Sequence, residues 1–251
     1  MNPARGTTTA VAASPYEGAD VHTVAEVLDR LEEIQRYAEA QEPRGPDDGI
    51  ACFNSLYATI TNTVFEALQG STFTDQPFIT VLDVTFANRY FAALRAGALR
   101  VQIPEAWGIL IEKRNDARIN PIQFAAAGVN AHVNLDLAVA VADTCALLDS
   151  DPESGTKHED YGAINKIFAM HMKELRERFE KNSVVRLLDH VAAPLFNMVD
   201  DLAVVESRAV AWRHAVELWA LRDRPAERAA FLSDLDRRAK TLGLLLMVSE
   251  P

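Results

Sequence analysis

One segment of the chain, residues 121–149, is apolar on almost every side, and this feature constrains the fold more than any other. The segment begins at Asn120-Pro121 and ends just before the turn Asp151-Pro-Glu-Ser-Gly155. A helix without a continuous polar face is not stable on the surface of a globular protein, where one side meets water. We therefore expect residues 121–149 to form the buried central helix of a bundle.

The segments on both sides of this helix show the three- and four-residue hydrophobic spacing of amphipathic helices. In the first of them, Val24, Val27 and Leu31 recur between charged residues. No internal repeat and no hairpin signal of the Asn-Gly kind interrupts this spacing. The sequence therefore predicts an all-α fold, a single-domain bundle of roughly eight helices. The helical segments span about residues 21–41, 52–68, 77–97, 104–111, 121–149, 159–181, 184–201, 202–221 and 226–246.

The N-terminal residues 1–20 differ from the rest in being rich in Gly, Thr, Ala and Pro. This composition predicts a disordered tail, followed by a single helical domain over residues 21–251. The tail lacks the apolar run of a secretory signal. No stretch reaches the ~18–20 uninterrupted apolar residues that cross a bilayer. We therefore expect a cytoplasmic protein.

Composition and charge exclude several partners. The chain has 25 Lys and Arg against 36 Asp and Glu, a net charge of -11, so it is repelled by nucleic acid and by anionic membranes. Cys52 and Cys145 lie outside any C-x-x-C spacing, and we expect both to be reduced and unpaired. Neither a P-loop nor a dinucleotide fingerprint occurs, which disfavours ATP and nicotinamide cofactors. A homodimer is compatible with the sequence.

Polar residues inside the central helix are the candidates for function. His132 and Asp136 are four residues apart, so their side chains meet on one helix face, and Asn130 and Asn134 form a second such pair. Gly128 lacks a side chain one turn before His132, which lets another helix or a ligand approach. Each polar group buried without a partner costs roughly 1–3 kcal/mol. The residues alone leave two interpretations open: a hydrogen-bond network that fixes helix register, or a dyad that faces a cavity.

The run Gln123-Phe-Ala-Ala-Ala-Gly-Val-Asn-Ala-His-Val-Asn-Leu-Asp136 resembles the signature of a bacterial, mostly actinobacterial, family of unknown function. That family carries a Gly-[Met/Val]-Asn-Ala-His-[Ile/Val]-Asn-x-Asp-Leu element. Three more pieces match in order: Leu82-Asp-Val-Thr-Phe-Ala-Asn-Arg-Tyr-Phe91, Pro104-Glu-Ala-Trp107 and Asp160-Tyr-Gly-Ala-Ile-Asn165. A looser match is Ser207-Arg-Ala-Val-Ala-Trp212, with serine where the family has alanine. The resemblance covers about residues 53–221 and implies an all-helical fold with a shared polar centre, but no reaction.

Five polar residues on four predicted helices converge only if the bundle contains a polar pocket: Asp83, His132, Asp136, Asn165 and Arg208. A buried carboxylate without a cation is costly. We therefore expect Arg208 to neutralise Asp83 or Asp136. For Asp83 a simple helix-to-helix hydrogen bond remains the alternative.

The first hypothesis is a cofactor-free enzyme that acts on a small, mostly apolar molecule. His132 would transfer the proton, Asp136 would set its tautomer, and Asp83 would complete the catalytic set. The substrate would contact Asn130, Asn165, Arg208, Tyr90, Trp107 and Phe86. Cyclisation, isomerisation, elimination or hydrolysis would suit this arrangement, and the kind of family that the chain resembles suggests bacterial secondary metabolism.

Two alternatives use the same residues. In a metal-dependent hydrolase, His132 and Asp136 would bind a divalent ion such as zinc, with Asp160 or Asp83 as the third ligand. Only one histidine is well placed, and Asp160 also suits a helix N-terminus, where the helix dipole favours a carboxylate. In a non-catalytic binding protein, the same cavity would hold a small molecule without chemistry.

Overall fold

The computed structural model describes residues 14–180 and 201–248, and within these ranges it contains helices and no strand. This confirms the predicted all-α, single-domain bundle. The helix predicted over residues 184–201 lies outside the described residues. The described α-helices are α1 Val24–Glu39, α2 Gly49–Leu68, α3 Gln76–Ala98, α4 Glu105–Lys113, α5 Pro121–Leu147, α6 Lys157–Glu180, α7 Asp201–Ala220 and α8 Pro225–Leu246.

Side chains at the helix starts cap the free backbone N–H groups. Thr23 and Asn120 each form a capping box with the residue three positions later. Asp48 and Asp75 accept hydrogen bonds from first-turn amides of α2 and α3. These caps determine where the helices begin, and α5 starts at Pro121 as the sequence predicts.

Helix α5 is the centre of the bundle. Its first half packs against α2 and α8, and its second half packs against α3 and α7. By length and composition α5 is the one helix among the described residues that could cross a membrane, but 94% of its most apolar window is buried inside the protein. The predicted buried central helix is therefore confirmed, and it brings its polar residues into the interior.

The middle of α5 departs from α-helical geometry in a way that the sequence did not predict. Residues His132–Asp136 form one π-helical turn, in which the backbone N–H of Leu137 donates to the carbonyl of His132. Regular α-helix continues on both sides, over Pro121–Ala131 and Leu137–Leu147. Single π turns inside α-helices are rare and frequently occur at functional sites. Here the turn contains the predicted dyad.

The sequence prediction assigned too many residues to the N-terminal tail. Residues Pro15–Glu17 form a 3-10 turn, and Tyr16 is buried in the core. Its ring packs edge-on against Tyr37, and Arg95 donates to the carbonyl of Gly18 at 2.8 Å. The packed domain therefore includes residues 14–20, because the buried tyrosine holds this segment on α1 and α3. Residues 1–13 lie outside the described residues.

Candidate functional site

The His132–Asp136 pair forms as the four-residue spacing predicts. His132 Nδ1 lies 3.2 Å from Asp136 Oδ2, and the two residues are 3% and 1% exposed. The same Oδ2 accepts a hydrogen bond from Trp107 Nε1 at 2.8 Å, while Oδ1 accepts from Arg89 Nε at 3.1 Å. Because Asp136 acts as an acceptor throughout, we assign the neutral imidazole proton to Nδ1.

This tautomer leaves a lone pair on the other ring nitrogen, His132 Nε2. The atom is buried, and no hydrogen-bond partner for it occurs among the described residues. The imidazole stacks face to face on Phe86, with ring centroids 3.5 Å apart, and the edge of Tyr57 approaches to 4.6 Å. Burial lowers the pKa of His132 below its ordinary value, and the bond to Asp136 opposes that shift only in part. At neutral pH, His132 is an uncharged base in an aromatic enclosure.

His132 Nε2 belongs to a cavity between α2, α3, α5, α6 and α7. The cavity volume is about 60 Å³, which is several times the space that one water molecule needs. Most of the wall is aliphatic, from residues such as Leu56, Ile60, Ile79 and Leu82. The site can therefore hold several waters or a small guest with an apolar body.

Three further polar atoms line this cavity: Asp83 Oδ2, which has no partner among the described residues, and the hydroxyls of Tyr57 and Thr61, which interact with each other but bond to no other described group. Buried polar atoms in proteins are nearly always hydrogen-bonded. Two such atoms in one wall, His132 Nε2 and Asp83 Oδ2, therefore call for a partner that enters the cavity, such as water or a ligand. We name this cavity, whose wall also carries the Tyr57 and Thr61 hydroxyls, the His132 cavity.

Asp83 is the acidic group of the His132 cavity. Burial raises the pKa of its carboxyl from 3.8 to about 7. The charge of Asp83 in turn adds to the burial that raises the pKa of Tyr57. Near neutral pH, Asp83 exists in both protonation states, so it can give up or accept a proton. The helix-to-helix hydrogen bond considered for Asp83 is not formed with any described residue.

Arg208 also lines the His132 cavity, but it does not neutralise a carboxylate there. Its Nε donates to Asn165 Oδ1 at 2.5 Å and its Nη2 donates to the carbonyl of Tyr161 at 3.3 Å. The expected pairing with Asp83 or Asp136 was wrong, because Arg89 of α3 occupies Oδ1 of Asp136. Asn165 accordingly holds Arg208 and is not part of the cavity wall.

Three of the predicted substrate contacts lie elsewhere in the bundle. Asn130 donates to the carbonyl of Ala239 at 2.7 Å and so connects α5 to α8. The Tyr90 hydroxyl donates to Asn54, and Trp107 holds Asp136. All three side chains are turned toward protein partners and not toward the cavity. Phe86, in contrast, is part of the cavity wall.

The residues of the site do not fit the proposed metal centre. Asp160 accepts hydrogen bonds from the backbone amides of Thr74 and Asp75, at 2.9 and 2.6 Å, and so caps the turn before α3. It is not among the residues around His132. Asp136 already has three hydrogen-bond partners. Within residues 14–180 and 201–248, no group of three His, Cys, Asp or Glu side chains could hold a metal ion.

Arg89, Tyr57 and Thr61 were missed as functional candidates. Arg89 lies three residues after Phe86 on α3, so a cation one turn from a predicted site residue was the available signal. Tyr57 and Thr61 are one turn apart on α2, and their spacing is that of ordinary core residues. Only the position of their hydroxyls in the cavity wall distinguishes them from ordinary core residues.

Gly128 provides a close approach of two helices and not space for a ligand. A Cβ atom there would lie 2.3 Å from Cγ of Phe53. The Phe53 ring from α2 therefore packs directly against the α5 backbone, one turn before His132. This contact closes one side of the His132 cavity, whose wall includes Phe53.

Comparison with known proteins gives a family and no activity. The model of a family of unknown function, DUF5995, matches residues 24–249. Since this match covers most of the chain, the protein belongs to that family. No curated protein and no solved structure matches the chain.

Proposed function

We propose that this member of the DUF5995 family is a small-molecule enzyme that uses acid–base chemistry without a cofactor. The observation that carries the proposal is His132 Nε2, a buried lone pair that lines a cavity while Asp136 holds the opposite ring nitrogen. A positioned general base of this kind contributes ~10²–10⁴-fold to a proton transfer. A polar end on an otherwise apolar cavity is the usual form of a small-molecule site.

In this proposal Asp136 is a positioning residue. When His132 takes a proton at Nε2, the new positive charge lies next to the Asp136 carboxylate, which favours the charged form. Arg89 and Trp107 each donate a hydrogen bond to Asp136, so the carboxylate cannot rotate away from the imidazole without breaking them. Both nitrogens of His132 thus have defined roles, Nδ1 for orientation and Nε2 for the reaction.

Asp83 is the second acid–base group of the proposal. Its pKa of about 7 means that a protonated carboxyl and a neutral imidazole are present in the cavity together near neutral pH. One group can remove a proton while the other returns one, which is the requirement of isomerisation, elimination and cyclisation. Hydrolysis would need a water molecule held by the same pair.

The proposed substrate is small and mostly apolar, because aliphatic and aromatic side chains form most of the cavity wall. A cytoplasmic location belongs to the proposal and is supported by the two free cysteines, Cys52 and Cys145. A role in bacterial secondary metabolism is the remaining part of the hypothesis. A metal-dependent hydrolase is not proposed, since the donor set does not fit.

The test compares the wild-type protein with His132→Asn. Asparagine keeps an N–H donor near the position of Nδ1 and lacks Nε2, so Asp136 retains a partner while the base is removed. Both proteins are incubated in D2O with a library of small apolar acids, ketones and alcohols. Mass spectrometry then detects products and deuterium incorporated at carbon. We expect conversion by the wild type and a loss of at least ~100-fold in the variant.

His214→Asn is the matched control, because His214 is a half-buried histidine of α7 that packs against Phe231 outside the cavity. It should retain wild-type conversion, and circular dichroism should show that both variants are folded. Equal conversion by His132→Asn would contradict the proposal. Binding without any conversion by the wild type would identify the protein as the non-catalytic binding protein that the sequence left open.

A further inference from the structure

We propose that the molecule held in the His132 cavity is a short apolar monocarboxylate whose carboxylate pairs with Arg208. The inference names the ligand class of the proposed function and rests on it for the identity of the cavity, but not for the chemistry. The observation behind this inference is that the Arg208 guanidinium has only neutral hydrogen-bond partners, whereas Arg114 and Arg89 each pair with a buried carboxylate.

Arg208 is a buried cation that lines the cavity. The residue is 3% exposed, and its guanidinium carbon lies 4.4 Å from the centroid of the Tyr161 ring, over which the group stacks. The Tyr161 hydroxyl donates to the Arg208 carbonyl at 2.7 Å, which fixes the backbone of the residue as well. The guanidinium is therefore held in place by several contacts before any ligand arrives.

All hydrogen bonds from this guanidinium go to neutral oxygens. Nε donates to the amide of Asn165 and Nη2 to the carbonyl of Tyr161, while Nη1 donates to no described residue. Neutral acceptors satisfy donors but do not compensate the charge, and an arginine cannot lose its proton at neutral pH. A charge this deeply buried is stable only with an opposite charge close by.

The other arginines that contact buried carboxylates show the usual solution in this fold. Arg114 pairs with Asp48 at 2.7 Å, and Arg89 pairs with Asp136 at 3.1 Å. Both arginines are more exposed than Arg208 and still have a carboxylate. Among residues 14–180 and 201–248, no carboxylate forms an ion pair with Arg208.

Asp83 does not fill this role, although it lines the same cavity. No ion pair joins Asp83 to Arg208, and burial is the only cause that raises the pKa of Asp83. Near neutral pH the carboxyl is partly protonated and His132 is uncharged, so the wall around the cavity is positive overall. An anionic ligand would complete the charge balance, whereas a cationic ligand would increase the repulsion.

The rest of the wall limits the size and polarity of this anion. A volume of about 60 Å³ is smaller than the ~150 Å³ of an engineered protein cavity that binds benzene. A few carbon atoms beyond the carboxylate would therefore occupy it. The aliphatic wall favours an apolar body, and the polar atoms of Tyr57, Thr61, Asp83 and His132 are left to contact the other end of the ligand.

The test measures binding of acids and of their neutral isosteres to the intact protein. Acetate, propionate and butyrate are titrated by calorimetry alongside the corresponding primary amides, and benzoate, which exceeds the cavity volume, is the acid that should not bind. We expect at least one acid to bind, and its amide to bind at least ~10-fold more weakly because the amide lacks the charge. Acids that bind no better than amides, or that do not bind at all, would overturn the inference.

Variants locate the anion. Arg208→Gln removes the charge and should weaken acid binding at least ~10-fold, while Arg208→Lys keeps a point charge and should weaken it less. Arg228→Gln is the matched control, because Arg228 pairs with Asp143 in a separate surface groove. Wild-type affinity in Arg208→Gln would contradict the assignment. If Arg208→Gln does not fold, the comparison of acid with amide on the wild-type protein still tests the ligand class, and Arg208→Lys tests the position of the anion.

The outcomes separate this inference from the proposed function. Acid binding that depends on Arg208, without conversion of any acid, would keep the ligand class and remove the enzyme. Conversion of a neutral compound that depends on His132, without acid binding, would keep the enzyme and remove the ligand class.

Discussion

Two acidic residues, the buried Asp48 and the half-buried Asp83, have opposite surroundings. Asp48 is fully buried, and its Oδ1 accepts from the backbone amide of Ile50 at 2.9 Å while Oδ2 accepts from Arg114 Nε at 2.7 Å. Arg114 also donates to the Tyr16 hydroxyl at 3.2 Å. Asp83 Oδ2 is buried with no partner among the described residues.

The difference shows which of the two sites is built for stability. Both carboxyl groups lose water on folding, but only Asp48 regains hydrogen bonds and an opposite charge from the protein. A buried acid whose pKa is raised and whose oxygen faces a cavity reduces stability, and such groups cluster at functional sites. The Asp48 group holds α2 to α4, whereas the His132 cavity leaves its polar atoms open for a ligand.

Removing the Asp48 carboxylate, whose hydrogen-bond partners all come from the protein, should have the largest effect on stability. Asp48→Ala leaves Arg114 without its carboxylate and α2 without its cap, so we expect a loss of ~3–5 kcal/mol in the free energy of unfolding. Denaturant titration measures it. Glu32→Ala is the control, because its ion pair with Arg36 is on the surface, and it should change stability by less than ~1 kcal/mol. A loss of similar size in the two variants would contradict the comparison.

Substituting Asp83, which has no partner for its Oδ2, should change the free energy of unfolding by less and should increase it. The folded-state pKa of Asp83 is raised from 3.8 to about 7, so the native state binds more protons than the unfolded state between these values. Stability therefore falls as the pH rises through this window, and the full shift corresponds to roughly 4 kcal/mol above it. Asp83→Asn avoids the charge but leaves a polar amide in a partly exposed position.

We accordingly expect Asp83→Asn to be more stable than the wild type by ~2 kcal/mol at about pH 8. The gain should shrink as the pH is lowered and be largely gone at about pH 4, where the native carboxyl is protonated and the unfolded-state carboxyl is close to half protonated. Denaturant titrations of both proteins across this pH range measure the difference. A loss of stability, or a gain that does not change with pH, would show that Asp83 has a partner.

Removing the hydrogen bond from Trp107 to Asp136 should also reduce stability, and this effect should be the smallest of the three. Trp107→Phe keeps an aromatic ring but removes the N–H that donates to Asp136 at 2.8 Å. Trp212→Phe is the control for lost volume, because Trp212 is buried and its indole N–H forms no hydrogen bond with a described residue. We expect Trp107→Phe to cost ~1 kcal/mol more than the control in the free energy of unfolding. Equal losses would mean that the indole bond contributes nothing to holding Asp136.

The fold and the dyad could be predicted because both depend on local spacing. The apolar run over residues 121–149 left no surface position for that helix, and the four-residue step from His132 to Asp136 brings the side chains together within one helix. Phe86 and Arg208 were also expected near the site, and both lie in its wall. The hydrophobic periodicity of their helices was sufficient to predict this, because it places both side chains on the buried face of the helix.

Contacts between helices could not be predicted in the same way. Asn130 and His132 are two residues apart, so their side chains leave α5 in different directions, one toward α8 and one toward the cavity. The choice of Arg89 over Arg208 as the partner of Asp136 depends on how α3 and α7 pack on the π turn. That turn has no signature in the residues of His132–Asp136.

A high-resolution crystal structure of the protein grown with a short carboxylic acid would show whether His132 Nε2 faces a space that a guest molecule can occupy. We expect electron density for the acid or for ordered water within hydrogen-bonding distance of Nε2, next to Asp83. A side chain of the protein bonded to Nε2, with the space around it filled by the chain itself, would contradict the account.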